Sequence, residues 1–411
     1  MEVRSGYKQT EVGVIPQDWD VANLGDIGDC LIGLTYSPSN VKEHGTMVLR
    51  SCNIREGTLS FDDSVFVDAN IPEQIRVQEG DILVCVRNGS RALIGKCALL
   101  DHRVVGQTFG AFMSVFRTKD PEYIFQQFQS ELIKRQIAEN IGATINQITN
   151  ANLNSFRVPL PSTREERSAI AAALSDVDAL LAKLDQFITK KRDLKQAAMQ
   201  QLLTGQTRLP GFQGEWEVVK AGDIGYFRGG SGFPIKFQGM RSGAFPLFKV
   251  SDMNIEGNET FMEAANNYIS EELCKQLGAT LFPSESIVFA KVGAAVFLER
   301  KKILAKTSCL DNNMAAYVLD SGRAYSRFVH YLLLNTKLGS LASTTALPSL
   351  SGSVLNGIEI LLPPIPEQIA IATVLSDIDA EITALEARRD KTRALKQGMM
   401  QELLIGRIRL L

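Results

Sequence analysis

The sequence of 411 residues is written twice, and this constrains the fold more than any single motif. Trp19-Asp20-Val21 followed by Gly25-Asp26-Ile27-Gly28 returns about 200 residues later as Trp216-Glu217-Val218 followed by Gly222-Asp223-Ile224-Gly225. Leu174-Ser175-Asp176-Val177-Asp178-Ala179 returns as Leu375-Ser376-Asp377-Ile378-Asp379-Ala380, and Leu194-Lys195-Gln196 as Leu395-Lys396-Gln397. Between these blocks the similarity is weak and the offset wanders. Each half therefore reads as a variable globular module followed by a well-matched helical one. The expected boundaries are 1–158 and 209–360 for the globular modules, and 159–208 and 361–411 for the helical ones.

In the first helical module, Ile170, Leu174, Val177, Leu181, Leu184 and Ile188 follow the 4-3-4-3-4 spacing of an a/d seam. Ile371, Leu375, Ile378, Ile382 and Leu385 repeat it. Thr163 and Pro366 mark the starts, while Gly205 and Gly406 stand where a helix stop is expected. Each helix should span roughly 38 residues, about 57 Å. A narrow apolar stripe of that length needs a partner. The other copy is the natural one, with separate packing of each helix on its own globular module as the alternative. An antiparallel pair gives pseudo-two-fold symmetry. Gly406-Arg407-Ile408-Arg409-Leu410 echoes Gly205-Gln206-Thr207-Arg208-Leu209, so the chain stops where a further globular module would begin, with its termini close together.

The globular modules read as mixed α and β, so the fold class is α+β. Strands are expected around Met47–Arg50, Ile82–Val86, Ala111–Phe116 and Phe156–Leu160. Asp120 as N-cap and Pro121 at the first position predict one helix that runs to Gly142. Its counterpart spans Tyr325 to Leu338.

No catalytic motif emerges. Gly89 to Gly95-Lys96 has one residue too many between its glycines for a phosphate-binding loop, and Cys97 replaces the Ser or Thr that would hold magnesium. Gly229-Gly230-Ser231-Gly232 reads as a flexible turn. Glu299-Arg300-Lys301 has the acid–x–Lys spacing of nucleases without a Pro-Asp partner, and reads as a charged hairpin. No methyltransferase signature is present. The three histidines are isolated, His330 reads as a packing residue, and the scattered cysteines suggest reduced, mostly buried thiols in a cytoplasmic protein. No apolar run is long enough to cross a bilayer.

The 44 basic and 46 acidic residues exclude a globally basic nucleic-acid binder but leave room for local patches. Polar and basic side chains do gather in equivalent loops. Arg50, Asn53 and Arg55 match Lys249, Asp252 and Asn254. Arg87, Asn88, Ser90, Arg91 and Lys96 match roughly Lys291, Arg300, Lys301 and Lys302. Gln107 precedes one strand as Asn312 and Asn313 precede another, and Asn146 and Gln147 match Thr345 and Ser349. Such side chains clamp phosphates and read base edges. For any one of them an ordinary polar loop is the alternative, but recurrence with changed identities suggests two readers of different specificity. The last third of each helix is basic (Lys190, Lys191, Arg192, Lys195; Arg388, Arg389, Lys391, Arg393, Lys396), which reads as a solvated flank or as a contact with phosphates or an acidic partner.

The chain resembles the specificity subunit of type I restriction-modification systems. GVIPQDWDVANLGDIGD near the start, Gly80-Asp81-Ile82-Leu83 with Gly95-Lys96, LPPIPEQIAIATVLSDID and LKQGMMQELLIG carry the resemblance, which covers essentially the whole chain. Ser162-Thr163-Arg164-Glu165-Glu166 and Ser284-Glu285-Ser286 depart from it. It implies a non-catalytic reader of double-stranded DNA, with two target-recognition domains that each read half of an asymmetric bipartite site. The helices would set the spacer and dock two modification subunits carrying S-adenosylmethionine, with two restriction subunits using ATP and magnesium. On this reading the chain alone binds DNA weakly. The alternatives are a self-sufficient DNA methyltransferase or nuclease, and a coiled-coil scaffold that never touches DNA.

Overall fold

The computed structural model describes residues 4–142, 146–343 and 347–410. The chain divides into two units, Met1–Gln186 with Ala387–Leu411 and Phe187–Glu386. The two long helices are Arg164–Leu202 and Ile365–Leu403, each of 39 residues. Each unit therefore holds a globular module, the first part of one helix and the last part of the other.

In the first unit, Cys97–Leu99, Ile82–Cys85, Met113–Thr118 and Gly28–Ile32 form an antiparallel sheet in that spatial order. Ile82–Cys85 is an unbroken apolar run because it is buried throughout. A second sheet pairs Thr108–Phe109 parallel to Thr46–Leu49, followed by Val65–Val67 and Val41–Lys42. The second unit repeats the first sheet as Lys301–Leu304, Ile287–Ala290, Met314–Leu319 and Gly225–Gly229, with Phe261–Met262 added at the Lys301–Leu304 edge. The parallel pair returns as Ser308–Leu310 beside Phe245–Phe248. Arg157–Leu160 on Asp20–Asn23, and Glu359–Leu362 on Glu217–Lys220, close each module where its helix begins.

The helix expected from Pro121 to Gly142 is two helices, Pro121–Gln129 and Glu131–Asn140. Ser130 breaks it: its backbone is extended and its Oγ accepts the Ile133 N–H at 3.3 Å, an alternative to helical bonding that serine offers readily. Asp120 heads the first of the two without capping it. Its carboxylate pairs instead with Arg167 at 3.1 Å and Arg164 at 3.6 Å. The counterpart is Ser326–Asn335 followed by a 3-10 turn, Leu338–Leu341.

The apolar seam serves both candidate partners. In the first unit Ile170, Ala171 and Leu174 enter the module's own core, beside Trp19, Ile124 and Phe128, together with Leu403 and Leu404 from the other helix. In the second, Ile371, Ala372 and Leu375 meet Leu202 and Leu203. The helices run antiparallel within each unit, as their ion pairs show: Asp178–Lys396 at 2.7 Å and Asp185–Arg389 at 3.6 Å, then Asp379–Lys195 at 2.6 Å and Glu381–Lys191. The basic thirds of the helices are thus largely neutralised by facing carboxylates, with Arg192 on Glu386 and Arg393 on Glu56.

At the root of each helix a buried glutamate is held by a tryptophan and an arginine. Glu166 accepts from Trp19 Nε1 at 3.1 Å and pairs with Arg409; Glu367 accepts from Trp216 Nε1 at 3.1 Å and pairs with Arg208. Arg409 and Arg208 also lie over the respective indole rings, 5.7 and 5.5 Å from their centroids. The C-terminal segment therefore completes the unit that the N-terminus begins, and Tyr7 donates its hydroxyl to the Gly406 carbonyl at 3.1 Å.

His330 packs in the second module, and its Nε2 faces the Lys301 carbonyl at 2.9 Å, so the neutral ring donates there. Burial pushes its pKa down to about 4. An unfolded chain takes up the proton near pH 6.5, so this contribution to stability is intact above that value and is lost as pH falls from 6.5 to about 4. Urea midpoints of the second unit should therefore drop between pH 7.5 and pH 4.5 by more in the wild type than in His330→Gln, whose amide can replace the donor without titrating. Equal slopes for the two proteins would refute this account.

Candidate nucleic-acid interface

In the first module, strand Ile82–Cys85 delivers the chain into a loop whose backbone is tied on two sides. The N–H groups of Val86 and Arg87 both bond the Phe112 carbonyl at 3.1 Å, and those of Asn88 and Ile148 link this loop to the 146–148 segment. Arg87 and Gln147 thereby form an isolated antiparallel bridge. Side chains finish the cluster. Asn88 Nδ2 donates to Ser51 Oγ at 3.2 Å while its Oδ1 accepts the Ser90 N–H; Lys96 Nζ donates to the Ser51 carbonyl at 3.2 Å; Asn146 Nδ2 donates to the Gly89 carbonyl at 3.0 Å. Arg87, Asn88, Ser90, Arg91, Lys96, Asn146 and Gln147 are thus brought to one surface, with the turn at Arg50 and Ser51 beside it. Arg87, Ser90 and Arg91 are exposed. Among the described residues no carboxylate pairs with Arg87 or Arg91, although Arg91 donates to the Ala138 carbonyl at 3.3 Å, whereas Arg50 is paired with Asp63 at 2.8 Å.

The second module builds the same frame from other residues. The Lys291 N–H bonds the Asn313 carbonyl at 2.9 Å, the Gly293 N–H bonds Pro348, and Val292 bridges Ser349. Lys291, Asn312, Asn313 and Ser349 share this region; Thr345 lies outside the described residues. Asp311 adjoins it. Burial pushes its carboxyl pKa up, against the bonds from Asn313 and the charge of Lys249. Lys249 donates Nζ to Gln238 at 3.0 Å, and Asn254 is exposed at the end of its 3-10 turn. The run at Gly229-Gly230 is a place of close approach rather than a flexible turn. A Cβ on Gly230 would lie 2.1 Å from the Asp311 carbonyl oxygen, and one on Gly229 would meet Lys291 Nζ at 2.2 Å.

Four expected readers are placed elsewhere. Asn53 is fully buried: its Oδ1 accepts the Arg50 N–H and its Nδ2 serves the carbonyls of Ser60 and Asp63, so it shapes the turn and has no polar atom left for a base. Gln107 accepts the Met47 N–H at 2.6 Å, at the far end of strand Thr46–Leu49 from Arg50. Lys301 is buried in the core and bonds Glu299 and the Thr336 carbonyl. Lys302 donates to the Glu259 carbonyl, and burial lowers its pKa against the pull of Glu259. Arg300 is half-buried and immediately precedes the same strand. The cause is strand pairing. Phe289 lies opposite Lys301 and Ile287 opposite Ile303, which turns Lys301 and Ile303 inward.

One exposed residue escaped sequence reasoning. Phe112 is expected inside a strand, but the strand begins at Met113 and the residue is 57% exposed. Its only sequence signal is its position just after Gly110-Ala111, where the chain turns into the strand. Among the described residues no cluster of His, Cys, Asp or Glu could hold a metal, all six cysteines are free, and no helix is long and apolar enough to cross a membrane.

A family model for the type I restriction modification DNA specificity domain matches residues 16–191 and again 213–393. The chain is 24% identical to the type I restriction enzyme MjaVIII specificity subunit of Methanocaldococcus jannaschii, over 96% of this chain and 94% of that one. It is 22% identical to the StySPI specificity subunit of Salmonella potsdam, over 95% and 89%. Among solved structures, the S subunit of a type I restriction-modification system from M. genitalium matches with a TM-score of 0.60 at 15% identity, covering 98% of each chain. A chain from a study of type I R-M complex assembly matches at 0.56 and 17%, covering 96% of this chain and 99% of that one. At these identities the structural likeness speaks to the fold.

Proposed function

Because the chain belongs to the family of type I restriction-modification DNA specificity subunits, a non-catalytic role, we propose that its two modules read the two halves of an asymmetric bipartite DNA site. Residues 14–158 read one half, through Arg87, Asn88, Ser90, Arg91, Lys96, Asn146 and Gln147. Residues 212–360 read the other, through Lys291, Asn312, Asn313 and Ser349, with Lys249 and Asn254 nearby. One observation carries this: the same loop frame, closed by the Arg87–Gln147 bridge in one unit and the Val292–Ser349 bridge in the other, is built twice with different side chains. A shared frame with changed chemistry is what two readers of different sequences require.

The long helices, which pass from one unit into the other, set the spacer and dock two methyltransferase subunits. Those partners carry S-adenosylmethionine, and restriction subunits with ATP and magnesium join them. Single-molecule methylation mapping in a host that carries this chain with its modification subunit tests the reading. An asymmetric bipartite site is expected, and a short continuous palindrome would overturn it. In the same assay Arg87→Ala should relax one base pair of one half-site, by about 1–3 kcal/mol of discrimination, and leave the other half unchanged.

A further inference from the structure

Phe112 stands in the polar face of the first module with its ring exposed, and it is held there. Its carbonyl accepts two backbone N–H bonds, from Val86 and Arg87, and the next residue starts the strand Met113–Thr118. The Arg87 guanidinium lies 4.9 Å from the ring centroid. A ring fixed by its backbone and stacked against an outward-facing arginine presents an apolar surface and a forked hydrogen-bond donor side by side. Among the described residues the equivalent loop of the second module has no such pair; that module's arginine–phenylalanine contact, Arg327 over Phe261 at 5.1 Å, joins a helix to a strand. Asn313 takes the Phe112 place there, since its carbonyl accepts the Lys291 N–H as that of Phe112 accepts the Val86 N–H, and Val292 takes the place of Arg87 in the bridge to Ser349.

The DNA major groove offers a matching edge. Guanine shows two acceptors that suit an arginine fork, and thymine shows a C5-methyl group that suits an apolar side chain. We infer that Phe112 is a specificity-determining residue that packs on the methyl group of a thymine adjacent to a guanine read by Arg87. The inference rests on the DNA-reading role proposed above for this face. It assigns the first half-site a thymine–guanine step, and it assigns the second module a reader without that apolar element.

The test uses the complex assembled with its modification subunits and duplexes carrying the mapped site. Each thymine of the first half-site is replaced in turn by deoxyuridine, which removes only the methyl group. Wild-type affinity should fall about fourfold at one position beside a guanine, the worth of one buried methyl group. Phe112→Ala should bind the thymine duplex about tenfold more weakly and no longer distinguish uracil from thymine, whereas Phe112→Leu should keep the distinction. The inference is overturned if no thymine of that half-site matters, or if Phe112→Ala keeps the step between thymine and uracil. Arg87→Ala separates the two failures. If it retains full preference for the mapped site over a scrambled duplex, the face does not read DNA and both statements fall. If it loses that preference while Phe112→Ala keeps the uracil penalty, only the role of Phe112 falls.

Discussion

Arg409→Ala is expected to lower the unfolding free energy of the first unit by about 2–3 kcal/mol, although Arg409 lies close to the end of the chain. Its guanidinium pairs with Glu166, whose side chain is buried under Trp19, and it also bonds Asp18 at 2.9–3.0 Å. Without it, the Glu166 carboxylate keeps, among the described residues, only the neutral indole N–H of Trp19 as a side-chain partner. Stripping one member from a fully buried ion pair costs about 3–5 kcal/mol. The lower figure applies because Arg409 is itself partly exposed and water can reach the vacated place. Truncation after Gly406 should act in the same direction, and Arg409→Lys should recover only part of the loss, since a lysine cannot hold two carboxylates with one planar fork. The protein has only two tryptophans. In a Trp216→Phe background, Trp19 emission reports the first unit through urea unfolding. An unchanged midpoint in Arg409→Ala would show that the C-terminal segment does not complete that unit.

Glu299→Ala should destabilise the second unit by about 3 kcal/mol, because it leaves the Lys301 ammonium in the core without its carboxylate. The same change removes the acceptor for the Leu338 and Gly339 N–H groups. Burial raises the Glu299 pKa, but the Lys301 charge and bond and these two N–H groups outweigh it and hold the carboxyl below its ordinary value. Adding Lys301→Met to Glu299→Ala should restore much of the stability, since an apolar chain of similar length replaces the stranded charge. Lys301→Met alone should leave DNA affinity and its salt dependence unchanged. A weaker, less salt-dependent complex would return Lys301 to the set of phosphate contacts.

How much of this was legible beforehand varied with the kind of interaction. The doubled layout and the long helices were, because the seam from Ile170 to Ile188 and its copy are set by spacing along one element. Strand Ile82–Cys85 announced itself as an unbroken apolar run. The break at Ser130 did not, because the apolar residues on both sides keep a helical period and the serine's local hydrogen bond has no signature of its own. The helices' basic thirds looked like free positive charge; most of their carboxylate partners lie on the other long helix, as Lys396 on Asp178 shows, and Arg393 finds Glu56 in a turn of the globular module.

The candidate interface separates the two kinds of information most clearly. Sequence alone determined that two similar modules carry polar loops at matching places, and that each is followed by a helix with one apolar face. Tertiary structure decided which of those polar residues face outward. Asn53 and Lys301 are turned inward, and Phe112 is left in the open. The physical reason is that exposure follows from pairings between distant segments. The bridge of Arg87 to Gln147 and the register of Phe289 on Lys301 are such pairings, and no local pattern of residues encodes them.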